Sequence, residues 1–474
     1  MKERHLLGGA AAMSLAGIVR VALQTLVLPI LARILGPHDY GLVALAMPIV
    51  ILSMILCDGG LPAPLIRRTE DDERVWSTAH WSICASGVVL ALLVVLAAYP
   101  LAWICREPQL APVVTALACT LAMQGLGAVP AARLQKAQDF LSLSLVEIGA
   151  TLGGMAALLV MALRGAGAWS LVAQQLAYWV LRIAGVTLRS RWRPQWCYDF
   201  QLIAQDLVFG WSVLKVNLIN FATRSLDVFL LGLFRGSAEV GLYAMALQVA
   251  RLPANVILGP FHGVFLSHLV RIKDSPERIG AMLARVSAVM ASVIFPATAC
   301  AAMIAPEIFT VMLSQKWRPA GYIYAALVPG AAIQAVVFLM MPCLVALGRP
   351  DRQLRLIVGL TLTWTAFAAG GAAFGALGIA AGIGLAYLAC GPVMILSVRD
   401  VLPLPLRQYG TAWVLAIFSA AMAMAALAVF EHLFARTGIA VVVAGAICAA
   451  GGVLAALALN RSVFLVPTVR VQIA

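Results

Sequence analysis

Long apolar stretches, each broken off by charge, proline or glycine, follow one another along almost the whole chain. They fall at residues 9–34, 41–61, 76–104, 110–132, 141–163, 168–188, 207–234, 239–268, 281–313, 321–347, 355–375, 377–398, 410–430 and 437–459. A helix needs roughly 20 apolar residues to cross hydrocarbon, and these stretches are of that order. In lipid a helix satisfies its backbone within its own segment, so the pattern predicts an all-α integral membrane protein of about 14 transmembrane helices. The opening, MKERHLLGGAAAMSLAGIVR, has the basic flank of a signal peptide, but its apolar run continues past any small-residue cleavage pattern. It reads as an uncleaved first span.

Composition narrows the class. Of 474 residues, 63% are hydrophobic and 11% charged, against about 25% charged in a soluble domain. A cytosolic enzyme, a nucleic-acid binder and a β-barrel are excluded. The net charge of +13 does not restore a nucleic-acid partner, because the basic residues are scattered among loops rather than gathered on one face. They orient the helices instead. With the N-terminus in the cytoplasm, 20 basic residues fall in cytoplasmic segments and 7 in the opposite loops. Both ends of this multi-pass protein are therefore expected in the cytoplasm. The nine cysteines form no Cys-x-x-Cys pair and no histidine stands at metal-ligand spacing, so they read as small apolar packing residues, with no metal or cofactor expected.

The chain also repeats itself. Shifted by 200 residues, 31-LARILGPHDYGLVALAM-47 lies on 231-LGLFRGSAEVGLYAMAL-247: Gly36 meets Gly236, Asp39 meets Glu239, Gly41 and Leu42 meet Gly241 and Leu242. An offset of six spans is even, so the two copies share one orientation, as in parallel transporter lobes related by an axis along the membrane normal. The expected organisation is an N-terminal lobe at 1–188, a basic, Trp-containing linker at 189–206, a second six-helix lobe at 207–400, and two appended helices with a tail at 401–474.

Ionisable residues inside spans are costly and usually face a cavity or a partner. In 211-WSVLKVNLINFATRSLDVFLLG-232, Asn217, Asn220, Arg224 and Asp227 fall at spacings of 3, 4 and 3, on one helical face, with Lys215 a turn or less away. An internal Arg224–Asp227 pair that merely neutralises itself would account for two of them. A polar stripe lining a water-filled cavity accounts for all. Arg20 and Gln24 share a face of the first stretch, and the 200-residue shift sets Arg20 on Asn220 and Gln24 on Arg224. Facing lobes would converge these groups on a mainly positive cavity suited to an anion such as phosphate or pyrophosphate. Arg251 either joins that cavity or sits at a helix turn. Arg182 and Arg285, near cytoplasmic ends, are expected to snorkel, and Glu147 to be interfacial. Asp58 suits a capping or gating role at the end of the second stretch. Asp227 and Asp58 are the candidates for a coupling ion, although Arg224 would keep Asp227 ionised.

The stretches 35-LGPHDYGLVALAMPIVILSMILCDGGLPAPLIRR-68 and 220-NFATRSLDVFLLGLFRGSAEVGLYAMALQVARLP-253 resemble the openings of the two halves of Wzx-like oligosaccharide flippases, polysaccharide transporters of the MOP exporter superfamily. The resemblance implies a MOP/MATE-like transporter of two lobes. Its substrate would be an undecaprenyl-pyrophosphate-linked oligosaccharide, moved to the periplasmic leaflet for exopolysaccharide, O-antigen or capsule synthesis. It further implies that Arg20, Arg224, Lys215 and Arg251 hold the pyrophosphate, that Gln24, Asn217 and Asn220 meet the sugar, that H+ or Na+ drives the cycle without an assigned site, and that polymerase and export proteins of the same pathway are partners.

Two rivals stand beside this reading. A multidrug exporter of the same superfamily takes mostly organic cations, which favour acidic and aromatic linings; the basic lining argues against it. A membrane-embedded polymerase or ligase needs a large extramembrane loop or paired surface carboxylates. The only acidic run, 70-EDDE-73 beside Arg67, Arg68 and Arg74, reads as a solvated, self-paired loop.

Overall fold

The computed structural model describes residues 17, 19–20, 22–69, 71–253, 265, 268–269, 271–272, 274–399, 401–433 and 438–461, except for the side chains at 223, 224, 252, 253 and 350. Helices occupy every predicted window: α1 (Ala22–Ile34), α2 (Pro37–Asp58), α3 (Glu73–Ile104), α4 (Leu110–Lys136), α5 (Phe140–Leu163), α6 (Trp169–Ser190), α7 (Ala204–Arg235), α8 (Ser237–Pro253), α9 (Pro276–Met303), α10 (Arg318–Val337), α11 (Pro350–Ala372), α12 (Gly375–Ser397), α13 (Leu406–Leu433) and α14 (Gly438–Leu459). Among the described residues there is no strand. Eleven segments are long and apolar enough to cross a membrane, or twelve with α7, which bends by 49° between Ala222 and Ser225. The expected fourteen is therefore not reached, because the described parts of α1 and α8 are short.

Starts and stops follow local chemistry. Proline opens α2, α9 and α11, where its missing N–H is one the helix would leave unpaired anyway. Asp72 caps α3 by accepting from Arg74 N, and Asp139 caps α5 by accepting from Ser142 N.

The chain forms two compact units, Met1–Ala244 and Met245–Ala474. α7 packs within the first unit. In the first unit α2 and α7 run antiparallel. At one end Gly60 has φ +72, and a Cβ there would lie 2.3 Å from the carbonyl oxygen of Gly210. At the other end a Cβ on Gly232 would lie 2.0 Å from Leu45 Cδ2. Membrane helices associate through such small residues, since lipid supplies no hydrophobic drive between them.

The second unit is built on the same principle. Backbone contacts at Gly371, Gly378 and Gly382 join α11 to α12, and Gly330 meets Gly384 between α10 and α12. At the end of α14 the buried Asn460 amide donates to Ser292 Oγ at 2.9 Å and to the Ala412 carbonyl at 3.3 Å. One side chain thus ties α14 to α9 and α13.

Candidate functional site

The first unit carries two sets of polar residues at membrane depth. One lies on α7. Lys215 is eleven residues into that helix, about 16 Å from its start at 1.5 Å per residue. Lys215, Asn217 and Asn220 are all exposed. Exposure on a membrane-crossing helix means contact with lipid tails or with water. Tails offer no hydrogen bond and penalise a charged side chain by roughly 3 kcal/mol or more, so on a spanning α7 the stripe suits a water-filled cavity. Arg20, just before α1, and Gln24, in its first turn, are exposed as well. Arg224 lies on α7, but its side chain is outside the described residues.

The stripe ends before Asp227, which is fully buried and accepts a hydrogen bond from Tyr243 Oη at 2.6 Å. On a straight helix Asn217, Asn220, Arg224 and Asp227 would share an arc of about 80°, but α7 bends by 49° between Ala222 and Ser225. The bend, rather than the spacing, sets buried Asp227 apart from the exposed Asn217 and Asn220. Arg251 belongs to the second unit, exposed near the end of the described part of α8.

The second set was missed as a set. Glu147 on α5 accepts from Tyr178 Oη at 2.6 Å and from Arg182 Nε at 2.7 Å, both on α6. Glu147 is thus more than interfacial and Arg182 does not snorkel: the two form an ion pair whose side chains are 29% and 18% exposed. The pairing follows from the hairpin. Glu147 lies seven residues after Phe140 and Arg182 eight before Ser190, so both sit at one depth from the same membrane face. Equal depth and opposite charge were the signal available in the sequence. Near Asp58, at the end of α2, the Gln124 amide donates to the Met54 carbonyl at 3.2 Å. Asp58 Oδ1 is buried and accepts no hydrogen bond.

At the membrane face poor in basic residues, the two copies of the repeated motif touch. A Cβ on Gly41 would lie 1.7 Å from the Ser237 carbonyl oxygen, and one on Gly241 would lie 1.9 Å from the Pro37 carbonyl oxygen. Residues 37 and 41 meet 241 and 237 reciprocally, which is the signature of a local two-fold contact. Glu107 secures it, accepting from Ser237 N at 2.9 Å and Ser237 Oγ at 2.5 Å, with His38 Nε2 at 3.5 Å. Only glycine allows this approach, so the glycines of the repeat mark a contact as well as a turn.

The run at 70–73 also departs from expectation. Among its described residues, Glu73 pairs with Arg133 and Asp71 with Lys136, both at the end of α4. The loop is cross-linked to α4 rather than self-paired, because the α3–α4 hairpin brings these basic groups beside it. Among the described residues no group of His, Cys, Asp and Glu could hold a metal ion.

The sequence profile of a family described as "Polysaccharide biosynthesis protein" matches residues 30–321, more than half of the chain. The chain belongs to that family. As a member of it, the chain resembles ExoT of Rhizobium meliloti (strain 1021), a succinoglycan biosynthesis transport protein, at 26% identity over 257 residues. That match covers 54% of this chain and about half, 52%, of ExoT. WzxC of Escherichia coli (strain K12), a lipopolysaccharide biosynthesis protein, is 23% identical over 383 residues, covering 79% of this chain and 77% of WzxC. Among solved structures, the lipid II flippase MurJ in an inward closed conformation matches with a TM-score of 0.71 at 10% identity, over 97% of this chain and 99% of MurJ. The resemblance to polysaccharide transporters and the all-α membrane fold expected from the sequence are both borne out.

Proposed function

We propose that this protein carries a lipid-linked oligosaccharide across the inner membrane by alternating access. The substrate would be undecaprenyl-pyrophosphate-linked, delivered from the cytoplasmic to the periplasmic leaflet for a surface polysaccharide. The observation that carries this reading is the exposure of Lys215, Asn217 and Asn220 on a helix of membrane-crossing length. A water-filled site with fixed positive charge suits a pyrophosphate, and amide side chains suit sugar hydroxyls. Arg20, Lys215, Arg224 and Arg251 are assigned to the pyrophosphate; Gln24, Asn217 and Asn220 to the glycan. The role is transport rather than catalysis, with both chain ends in the cytoplasm and polymerase and export proteins as partners.

Coupling to H+ or Na+ falls to Asp58 in this reading. Its buried Oδ1 lacks a donor, and a buried carboxylate oxygen in that position calls for a proton or a cation. Asp227, whose Oδ2 accepts from the Tyr243 hydroxyl, is the second candidate.

A strain lacking the protein tests the assignment. Its membranes should accumulate a complete lipid-linked repeat unit on the cytoplasmic leaflet while surface polysaccharide is lost. Accumulation of translocated but unpolymerised units would place the protein among polymerases. Unchanged pools with altered drug sensitivity would place it among multidrug exporters.

A further inference from the structure

The segment joining α6 to α7 has no role in the reading above, yet it is among the most firmly held loops of the first unit. Arg191 adopts φ 51, ends α6 by donating to Thr187 O, and turns the chain along the start of α3. The Trp192 indole N–H donates to Glu73 Oε2 at 2.6 Å, and the Arg133 guanidinium lies over the rings of Trp76 and Trp192. His80, 4% exposed, packs edge-on against Trp81 and Trp192. Further along, Gln195 N donates to Ser77 Oγ, Trp81 Nε1 to Gln195 O and Asp199 N to Thr78 Oγ1. Arg68 closes the segment on Leu202 O and Asp206.

What this anchored strip presents outward is unusual. Arg189, Arg191 and Arg193 are exposed and form no ion pair among the described residues. Then come Trp196, Tyr198 and Phe200, exposed by 90%, 61% and 55%. The three exposed rings alternate with the less exposed Cys197 and Asp199 along the segment. Trp196 stacks on Trp81 with centroids 4.5 Å apart, which fixes its plane. Exposed Phe209, under the Arg67 guanidinium, and exposed Trp211 continue the surface onto α7.

A segment between two membrane-crossing helices lies at the bilayer surface. Aromatic rings favour that interfacial layer, and arginine forks match phosphate. We propose that residues 189–200 form a docking strip for anionic phospholipid headgroups. Arg189, Arg191 and Arg193 hold the phosphates, and Trp196, Tyr198 and Phe200 sit at the boundary between headgroups and acyl chains. Charge complementarity selects this occupant, since three unpaired cations face the one membrane layer that carries anions.

The test uses the full chain in nanodiscs of phosphatidylcholine with or without phosphatidylglycerol. Retained phosphatidylglycerol is counted by native mass spectrometry, and tryptophan quenching by bromine-labelled phosphatidylglycerol is measured alongside. The triple variant Arg189→Gln/Arg191→Gln/Arg193→Gln should weaken phosphatidylglycerol binding by roughly a hundredfold, each surface cation contributing a factor of about five. The corresponding triple lysine variant, which keeps the charge, should retain most of the binding and controls for folding. Trp196→Phe should lose a distinct part of the quenching. Wild-type binding in the glutamine variant, or unchanged quenching in Trp196→Phe, would overturn the proposal. So would loss of lipid-linked glycan from native extracts with phosphatidylglycerol retained, since the strip would then be reading substrate pyrophosphate.

Discussion

The two polar sets of the first unit lie at membrane depth on neighbouring parts of the chain, yet they are built in opposite ways. Glu147, Tyr178 and Arg182 close on one another, half-buried, with donor and acceptor matched. Lys215, Asn217 and Asn220 stand exposed on α7. In the first set the opposite charge compensates much of the cost of taking a charge out of water, so the residues hold α5 to α6. In the second, exposure leaves the groups free to meet a solute. An ionisable residue in a span is therefore not by itself a substrate contact; whether its partner is inside the protein decides.

The largest effect should come from breaking the closed set. Arg182→Met leaves Glu147 charged with only the Tyr178 hydroxyl, and should destabilise the protein by about 3 kcal/mol in thermal unfolding of the detergent-solubilised chain. Adding Glu147→Gln should recover most of that loss, because the orphaned charge is gone. If the single variant unfolds like wild type, the pair is not what holds α5 on α6.

Lys215→Gln should behave in the reverse sense. Stability should stay within about 0.5 kcal/mol, as for exposed positions generally, while surface polysaccharide restored to a deletion strain falls by about tenfold or more, the worth of one charge-assisted hydrogen bond. Unfolding comparable to that of Arg182→Met would erase the distinction between the sets.

A finer contrast compares single neutral groups. Tyr178→Phe removes one donor to Glu147 and should cost about 1 kcal/mol of stability with little change in transport. Asn220→Ala should leave stability unaltered and lower transport a few-fold, read by the same unfolding and complementation assays. Exchange of these two outcomes would reverse the assignment of structural and substrate-facing sets.

How far the sequence carried these distinctions depends on range. Helix positions were legible because crossing lipid constrains length and hydropathy locally, and the described helices sit in the predicted windows. The repeated Gly-x-x-acidic-x-Gly-Leu motif was legible too. Its meaning was not: nothing local says that Gly41 will touch Ser237 and that Gly241 will touch Pro37, a pairing across about 200 residues. The Glu147–Arg182 pair was half-legible, since the two residues share a depth only once α5 and α6 are taken as a hairpin. The stripe on α7 was read too long because a regular helix was assumed through a helix that bends.

The smallest effect belongs to a third polar set, outside the membrane-crossing segments. Asp71 accepts from the Trp76 indole at 2.7 Å and pairs with Lys136 at 3.1 Å. Those two partners, the indole first, hold its carboxyl below the ordinary 3.8. A depressed folded value means that the stabilisation is complete above the ordinary value and disappears as pH falls through the folded one. The Asp71 side chain is 58% exposed, so solvent screens the pair and the contribution is small. Thermal unfolding of wild type and Asp71→Asn should differ slightly at pH 7, and the two curves should converge as pH falls below 3.8. A gap that persists into acid would show that Asp71 acts through its shape in the turn leading into α3 rather than through its charge. The electrostatic contrast would then belong only to the two sets within the membrane.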